Sequence, residues 1–264
     1  MMNVEFRATC RWPGLHSAPM IDIGRIVIPP AVPEGYALFY TTPAFEGRLN
    51  GDAVEALMRL VRERFGVEAT TLATCQQVHG AHVVRAPGDP RWRECDSCDA
   101  LWSDQPGGAL AIKVADCLPV TLIDDAHGVI ANIHSGWRGA VQRITGAALD
   151  TLVRDSAFDP ATARAWLGPA IGVCCFEVGE EVVEQFRAAY PNAGAFIDRT
   201  RGPKPHIDIT ALTRHVLEQR GIRRIVDVAM CSRCGAGTQD LQPLFHSYRR
   251  DPKRGGRNLA IVAR

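Results

Sequence analysis

The 264-residue chain is long enough for one large domain or two small ones, with a sizeable buried core. Hydrophobic residues make up 46% and charged residues 22%, and the net charge of +1 argues against nucleic acid or an anionic membrane as partner. No apolar run approaches the ~20 residues of a membrane helix, and the N-terminus carries no secretory apolar stretch, so the cytoplasm is the expected compartment.

Residues 1–34 read as an appended arm: Pro13, Pro19, Pro29, Pro30 and Pro33 surround one β-branched stretch, IDIGRIVI, suited to an edge strand. Residues 35–264 read as the catalytic domain. YALFYTT opens it as a strand. Asp52 to Phe65 has helical spacing, with Asp52 as candidate N-cap, Val54, Leu57, Met58 and Val61 on one face, and Gly66 as stop. TTLATCQQVHG predicts a strand running into a turn, and AHVVRA a second strand. GALAIKVADC, LPVTLIDD and GVIANIH are three strand-like runs separated by turn signals. SGWRGAVQRITGAALDTLVRD becomes one helix, with Val141, Ile144, Ala148, Leu149 and Leu152 inward. A strand over ARAWLGPAIG and a helix from Gly179 to Tyr190 follow. The next helix is capped by Asp208 or Thr210 and stopped by Gly221. IRRIVDVAM, LFHSY and NLAIVAR close the chain as strands. The mixture has no regular βαβ period, so a doubly wound sheet is not expected.

Nine cysteines, an odd number in a chain of this size without an export signal, point to metal or catalytic use rather than a disulfide scaffold. Three segments place a ligand-type residue beside a turn: QQVHG (His79), VADCLP (Cys117) and IHSGWRG (His134). Each follows a predicted strand. One thiolate and two imidazoles form a three-ligand set typical of catalytic zinc, leaving a position for water or substrate. The spacings of 38 and 17 residues match no compact metal motif. The same residues also allow a metal-free Cys117 nucleophile with a histidine base.

QVHG, ADCLPV, HSGWRGA, AWLGPAIG, FEVGEEV and SYRRD, in that order over roughly residues 72–262, resemble the YfiH family. Its members have been described as laccase-domain or polyphenol oxidase proteins, as purine nucleoside phosphorylases and as the peptidoglycan-editing factor PgeF. The resemblance implies zinc on His79, Cys117 and His134. It also implies a single-domain α+β fold of the CNF/YfiH-like kind, with a β-sandwich core flanked by helices. The implied activity is phosphorolysis of adenosine, inosine, guanosine or methylthioadenosine, with deamination of adenosine beside it. Phosphate is then a co-substrate, the partner is a small nucleoside, and the assembly a monomer or small homo-oligomer. Arg138, Arg249 and Arg250 are the candidate phosphate or substrate contacts. Asp99, in CDALWSD, is either a turn residue or a substrate contact, and Asp116 a turn or supporting residue beside Cys117.

Two departures stand out. Where relatives resemble FTTR followed by a GGVS-type turn, this chain reads YTTPAFEGR, so Pro43 replaces the arginine and Arg48 is the candidate substitute. Two Cys-x-x-Cys pairs, Cys95 with Cys98 and Cys231 with Cys234, would make a four-thiolate metal site if the fold joined them. Other functions compatible with the family are a copper-dependent phenol oxidase, a hydrolase of muramyl-serine amides and a non-catalytic binding module. The oxidase has poor support in eight histidines without one His-x-His.

Overall fold

The computed structural model describes residues 21–22, 26–43, 45, 49, 51–89, 92–236, 242–253 and 255–264. Most of the predicted arm, together with Arg48, lies outside them.

Thirteen strands form two mixed sheets. The first runs in the order Ile21–Asp22, Ile26–Ile28, Ala37–Thr41, Asn258–Ala263, Gly108–Val114, Thr71–Cys75, Trp92–Cys95. The second runs Arg224–Asp227, Arg164–Leu167, Leu118–Asp124, Val129–Ser135, Ala100–Ser103, Val83–Arg85. Alternation along each strand divides the apolar residues among three cores. Leu38, Tyr40, Leu110, Ile112, Ala260 and Val262 of the first sheet meet Leu101, Ile123, Ile130 and Trp166 of the second. Phe39, Ala111 and Ile261 point outward onto Val54, Leu57, Met58 and Val61 of the Gly51–Phe65 helix. Val120, Leu122 and Ala131 point outward onto Ile144, Ala148, Leu149 and Leu152 of the Ile144–Asp155 helix, and onto Val183, Phe186, Leu212 and Leu217 of two further helices, Glu180–Ala189 and Ile209–Gln219. The fold is therefore α+β, a single-domain sandwich covered by helices on both outer faces. Burial on both faces explains why the central strands are almost continuously apolar.

The structure departs from the predicted elements at several points. The long helix after His134 is two: Trp137–Val141 and Ile144–Asp155. Arg143 sits between them with φ 61°, so the chain turns without a Gly or Pro to announce it. LFHSY is not a strand. Its end is tied instead to side chains: the backbone N–H of Arg249 donates to Asp116 Oδ2 at 2.6 Å, and the Arg250 guanidinium donates to the carbonyls of Phe245 (2.7 Å), Ser232 (3.0 Å) and Arg233 (3.0 Å). Two short strands that periodicity does not predict, Trp92–Cys95 and Ala100–Ser103, fill sheet positions. Asp208, rather than Thr210, caps its helix, accepting from the Ala211 N–H at 2.7 Å. Ile26–Ile28 pairs with Ala37–Thr41, and the carbonyl of Pro30 accepts from Trp166 Nε1 at 2.9 Å.

One polar residue bridges the sheets. Asn132 is fully buried in the Val129–Ser135 strand. Its amide donates across the sandwich to the carbonyls of Ala260 (2.8 Å) and Leu110 (3.3 Å) and accepts from Thr121 Oγ1 (3.2 Å). Replacing it removes these bonds and leaves a cavity. Asn132→Ala is expected to lower unfolding free energy by about 2–4 kcal/mol. Urea unfolding with an unchanged slope would show it, and a loss below about 0.5 kcal/mol would deny the bridge its role.

Candidate metal centre and pocket

Three chain segments converge at one end of the sandwich. His79 lies in the turn that follows Thr71–Cys75. Cys117 lies in the corner where the chain leaves Gly108–Val114 of the first sheet and enters Leu118–Asp124 of the second. Asp116, at φ 86°, makes that corner tight. His134 is near the end of Val129–Ser135, where ladder register sets it opposite Pro119. Pairing alone therefore brings His134 beside the corner that carries Cys117.

Asp99 supplies the rest. Its carboxylate is fully buried and accepts four N–H donors. Oδ1 receives the His79 N–H at 2.9 Å and His134 Nδ1 at 2.8 Å; Oδ2 receives Gly80 N–H at 2.7 Å and Val78 N–H at 3.2 Å. His79 itself has φ 61°, a conformation that aims successive amides inward at the carboxylate. Gln142 Nε2 donates to the His79 carbonyl at 3.0 Å, holding the turn from its other side. With Nδ1 committed to Asp99, His134 presents Nε2 toward Cys117.

The ligand atoms of His79, Cys117 and His134 lie within 4.8 Å of one another, and Cys117 Sγ is 3.9 Å from His79 Nε2. A zinc ion bonded at about 2.3 Å to sulfur and 2.0–2.1 Å to nitrogen needs a separation of roughly 3.5 Å, so the donor set fits one metal ion with modest closure. Gly136 makes room for it: a Cβ there would come 2.8 Å from Cys117 Sγ and 3.1 Å from His79 Cδ2. The glycine of the HSGW motif is required by this close approach.

Electrostatics favour a thiolate. Burial pushes the Cys117 thiol up, but hydrogen bonds from His134 and His79 outweigh it and bring it down to about 6. Burial would lower His134, yet Asp99 and Cys117 hold it up at about 9. Asp99 stays below the ordinary carboxylate range despite burial, because His134 and the amides of Gly80 and His79 stabilise its charge. A cation at the centre would take over the role of the His134 proton.

His79, Cys117 and His134 open onto a cavity of about 670 Å³, a volume suited to a small organic ligand. Arg138 and Arg249, both predicted, line it. So do Lys113, Arg257, Gln77, Trp137, Phe176, Ile171 and Tyr248, which sequence reasoning did not single out. Arg249 stacks over Phe176 at 5.5 Å and Arg138 over Trp137 at 4.4 Å. Two predicted contacts are placed elsewhere. Arg250 is absent from the lining, its guanidinium engaged by the backbone carbonyls described above and by Asp251. Asp99 is buried behind the histidines as an orienting residue and does not line the cavity. Asp116 lines the cavity beside Cys117 and is also a supporting residue, accepting from Ser232 Oγ (2.6 Å) and from the Arg249 N–H (2.6 Å). The two Cys-x-x-Cys pairs do not meet. Cys95 and Cys98 pack with Cys75 in the core between the sheets, whereas Cys231 and Cys234 face Cys174 and Cys175.

Asp99→Asn would turn an NH2 group toward amide donors and loosen both histidines. Metal affinity, measured by competition with a chromophoric chelator, is expected to fall about 10–100-fold. Wild-type affinity in that variant would remove Asp99 from the account.

Known proteins resemble this chain in sequence and in fold. The profile of the family described as multi-copper polyphenol oxidoreductase laccase matches residues 48–264. Purine nucleoside phosphorylase YfiH of Escherichia coli strain K12 is 38% identical over 188 residues, 71% of each chain. Adenosine deaminase RL5, from an unknown prokaryotic organism, is 36% identical over 183 residues, 65% of this chain and 69% of that protein. The crystal structure of YlmD from Geobacillus stearothermophilus superposes with a TM-score of 0.79 at 26% identity, covering 92% of this chain and 97% of that one.

Proposed function

This chain belongs to the YfiH family, whose profile covers residues 48–264, and from that premise we propose that it is a zinc-dependent purine nucleoside phosphorylase that also deaminates adenosine. The observation that carries the reading is the juxtaposition of a Cys-His-His ligand set with a cavity lined by Arg138, Arg249, Lys113 and Arg257. The names of the two relatives supply the substrate class.

Phosphorolysis joins a phosphate oxygen to C1′ of the ribose as the bond to the purine nitrogen breaks, and the base leaves with the electron pair. The protein must hold a polyanion, orient a flat heterocycle and stabilise the departing base. Arg138 and Arg249 offer planar, multiply donating cations for the phosphate. The rings of Phe176 and Trp137 offer faces for the purine, each backed by its arginine. Zinc on His79, Cys117 and His134 would supply Lewis acidity and, for deamination, activation of water. Asp99 keeps His134 in one tautomer and His79 in one backbone conformation throughout.

Copper oxidation of phenols, which the family description names, is less well supported. A multicopper oxidase gathers several ions largely on imidazoles. Among the described residues, two groups could hold a metal: this one and a set of four cysteines.

The test is incubation of the zinc-loaded protein with adenosine or inosine and phosphate, read by chromatography of the purine products. Cys117→Ala is expected to lower both reactions at least about 100-fold. Arg249→Ala should raise the KM for phosphate roughly tenfold or more while sparing deamination, which uses no phosphate. Absence of base release and of inosine from adenosine, with metal bound, would defeat the proposal.

A further inference from the structure

Away from the pocket's metal ligands, two turns bring four cysteines together. The first holds Cys174 and Cys175 in a loop closed by the N–H groups of Cys175 and Phe176 donating to the Gly172 carbonyl, each at 2.9 Å. The second is the CSRCG turn, Cys231 to Gly235. The backbones dock directly: Ala170 N–H donates to the Met230 carbonyl at 3.1 Å and Ser232 N–H to the Ala170 carbonyl at 2.8 Å. The four Sγ atoms lie within 4.8 Å of one another, and those of Cys174 and Cys234 are 3.7 Å apart. Four thiolates around a tetrahedral ion with bonds of about 2.3 Å stand roughly 3.8 Å apart.

The backbone is arranged for charged sulfur. The Gly172 N–H donates to Cys231 Sγ at 3.3 Å, and the N–H groups of Arg233 and Cys234 point to the same atom. The turn closes by a 2.7 Å bond from the Gly235 N–H to the Cys231 carbonyl. A Cβ at residue 235 would lie 2.5 Å from that carbonyl oxygen, so only glycine fits. The Arg233 guanidinium reaches Cys175 Sγ. Neutral thiols are weak acceptors and gain little from so many donors. Four thiolates at this spacing would repel strongly without a cation among them.

We propose that Cys174, Cys175, Cys231 and Cys234 bind one structural zinc ion as four thiolates. With four protein ligands the ion has no open position and does no chemistry. It joins two turns that shape the pocket. One leads into Ile171 and Phe176, which line the cavity. The other carries Ser232, whose hydroxyl holds Asp116 beside Cys117. The inference needs neither nucleoside chemistry nor any particular metal on His79.

The experiment is elemental analysis of the full-length protein purified without chelator, paired with cadmium-113 spectroscopy of the cadmium-exchanged protein. The wild type should hold one zinc ion on these four cysteines, beside whatever metal His79, Cys117 and His134 carry. Cys117→Ala should keep one, and its cadmium resonance should sit at the low field of all-sulfur coordination. Cys174→Ser combined with Cys234→Ser should lose that resonance. Removing the metal from Cys117→Ala should expose four additional thiols to alkylation and lower the melting temperature. A Cys174–Cys234 disulfide found by peptide mapping, or metal-free Cys117→Ala of unchanged melting temperature, would overturn the proposal. If the double serine variant fails to fold, the metal content and resonance of Cys117→Ala still decide.

Discussion

The carboxylate of Asp99 is the constraint from which the site follows. A fully buried charge is costly unless its acceptor capacity is filled, and here it receives the amides of residues 78–80 and the ring of His134. Satisfying that charge forces His79 into the left-handed region and turns His134 so that its free nitrogen faces Cys117. One residue thus fixes two histidines on separate segments. Its own position is set by the second sheet: the Asp99 N–H bonds the His82 carbonyl at 3.0 Å, and its carbonyl accepts the His134 N–H at 2.7 Å.

The sandwich provides the rigidity this arrangement needs. Cys117 sits where the chain passes between sheets, so its position depends on how the sheets are spaced and registered. Asn132 contributes directly, bonding carbonyls of the opposing sheet two residues before His134 in its strand. The same strand therefore holds the sheets together and aims His134 at Cys117. A slip of one residue would reverse both side chains at once.

How much of this was legible in the sequence differs by kind of feature. The Gly51–Phe65 helix shows itself because its inward residues repeat with helical spacing. The central strands are legible as apolar runs because both faces are covered. His79, Cys117 and His134 were recognisable through their motifs but not their spacing, since a site built from strand ends has no fixed sequence interval. Lys113 and Arg257 were invisible for the same reason: Lys113 lies in one strand and Arg257 just before the strand that pairs with it, 144 residues away in the chain. Asp99 was noticed but its role was not, because orienting a histidine 35 residues away depends on strand pairing. The cysteines show the limit most clearly. CDSC and CSRC look alike as strings, yet one lies between the sheets and the other on a turn, and the partner of the second is an adjacent pair without the familiar spacing.

The two cysteine-bearing turns and the pocket are mechanically linked through Asp116. Its two oxygens hold Ser232 and the backbone of Arg249, and its own carbonyl accepts the Ile171 N–H at 2.9 Å. The loops bearing Cys117, Ile171, Ser232 and Arg249 meet at this one residue, itself held at positive φ. Loops of this kind are ordinarily the most mobile parts of a fold. Here they hold the Arg249 cation, the Phe176 ring and Cys117 in relation to one another, and no helix or strand runs through all of them. A metal ion on Cys174, Cys175, Cys231 and Cys234, as proposed, would restrain the outer side of the assembly, while Asp116 restrains the inner side. Together the two restraints would let a pocket made largely of turns hold its shape against the sandwich that carries the histidines.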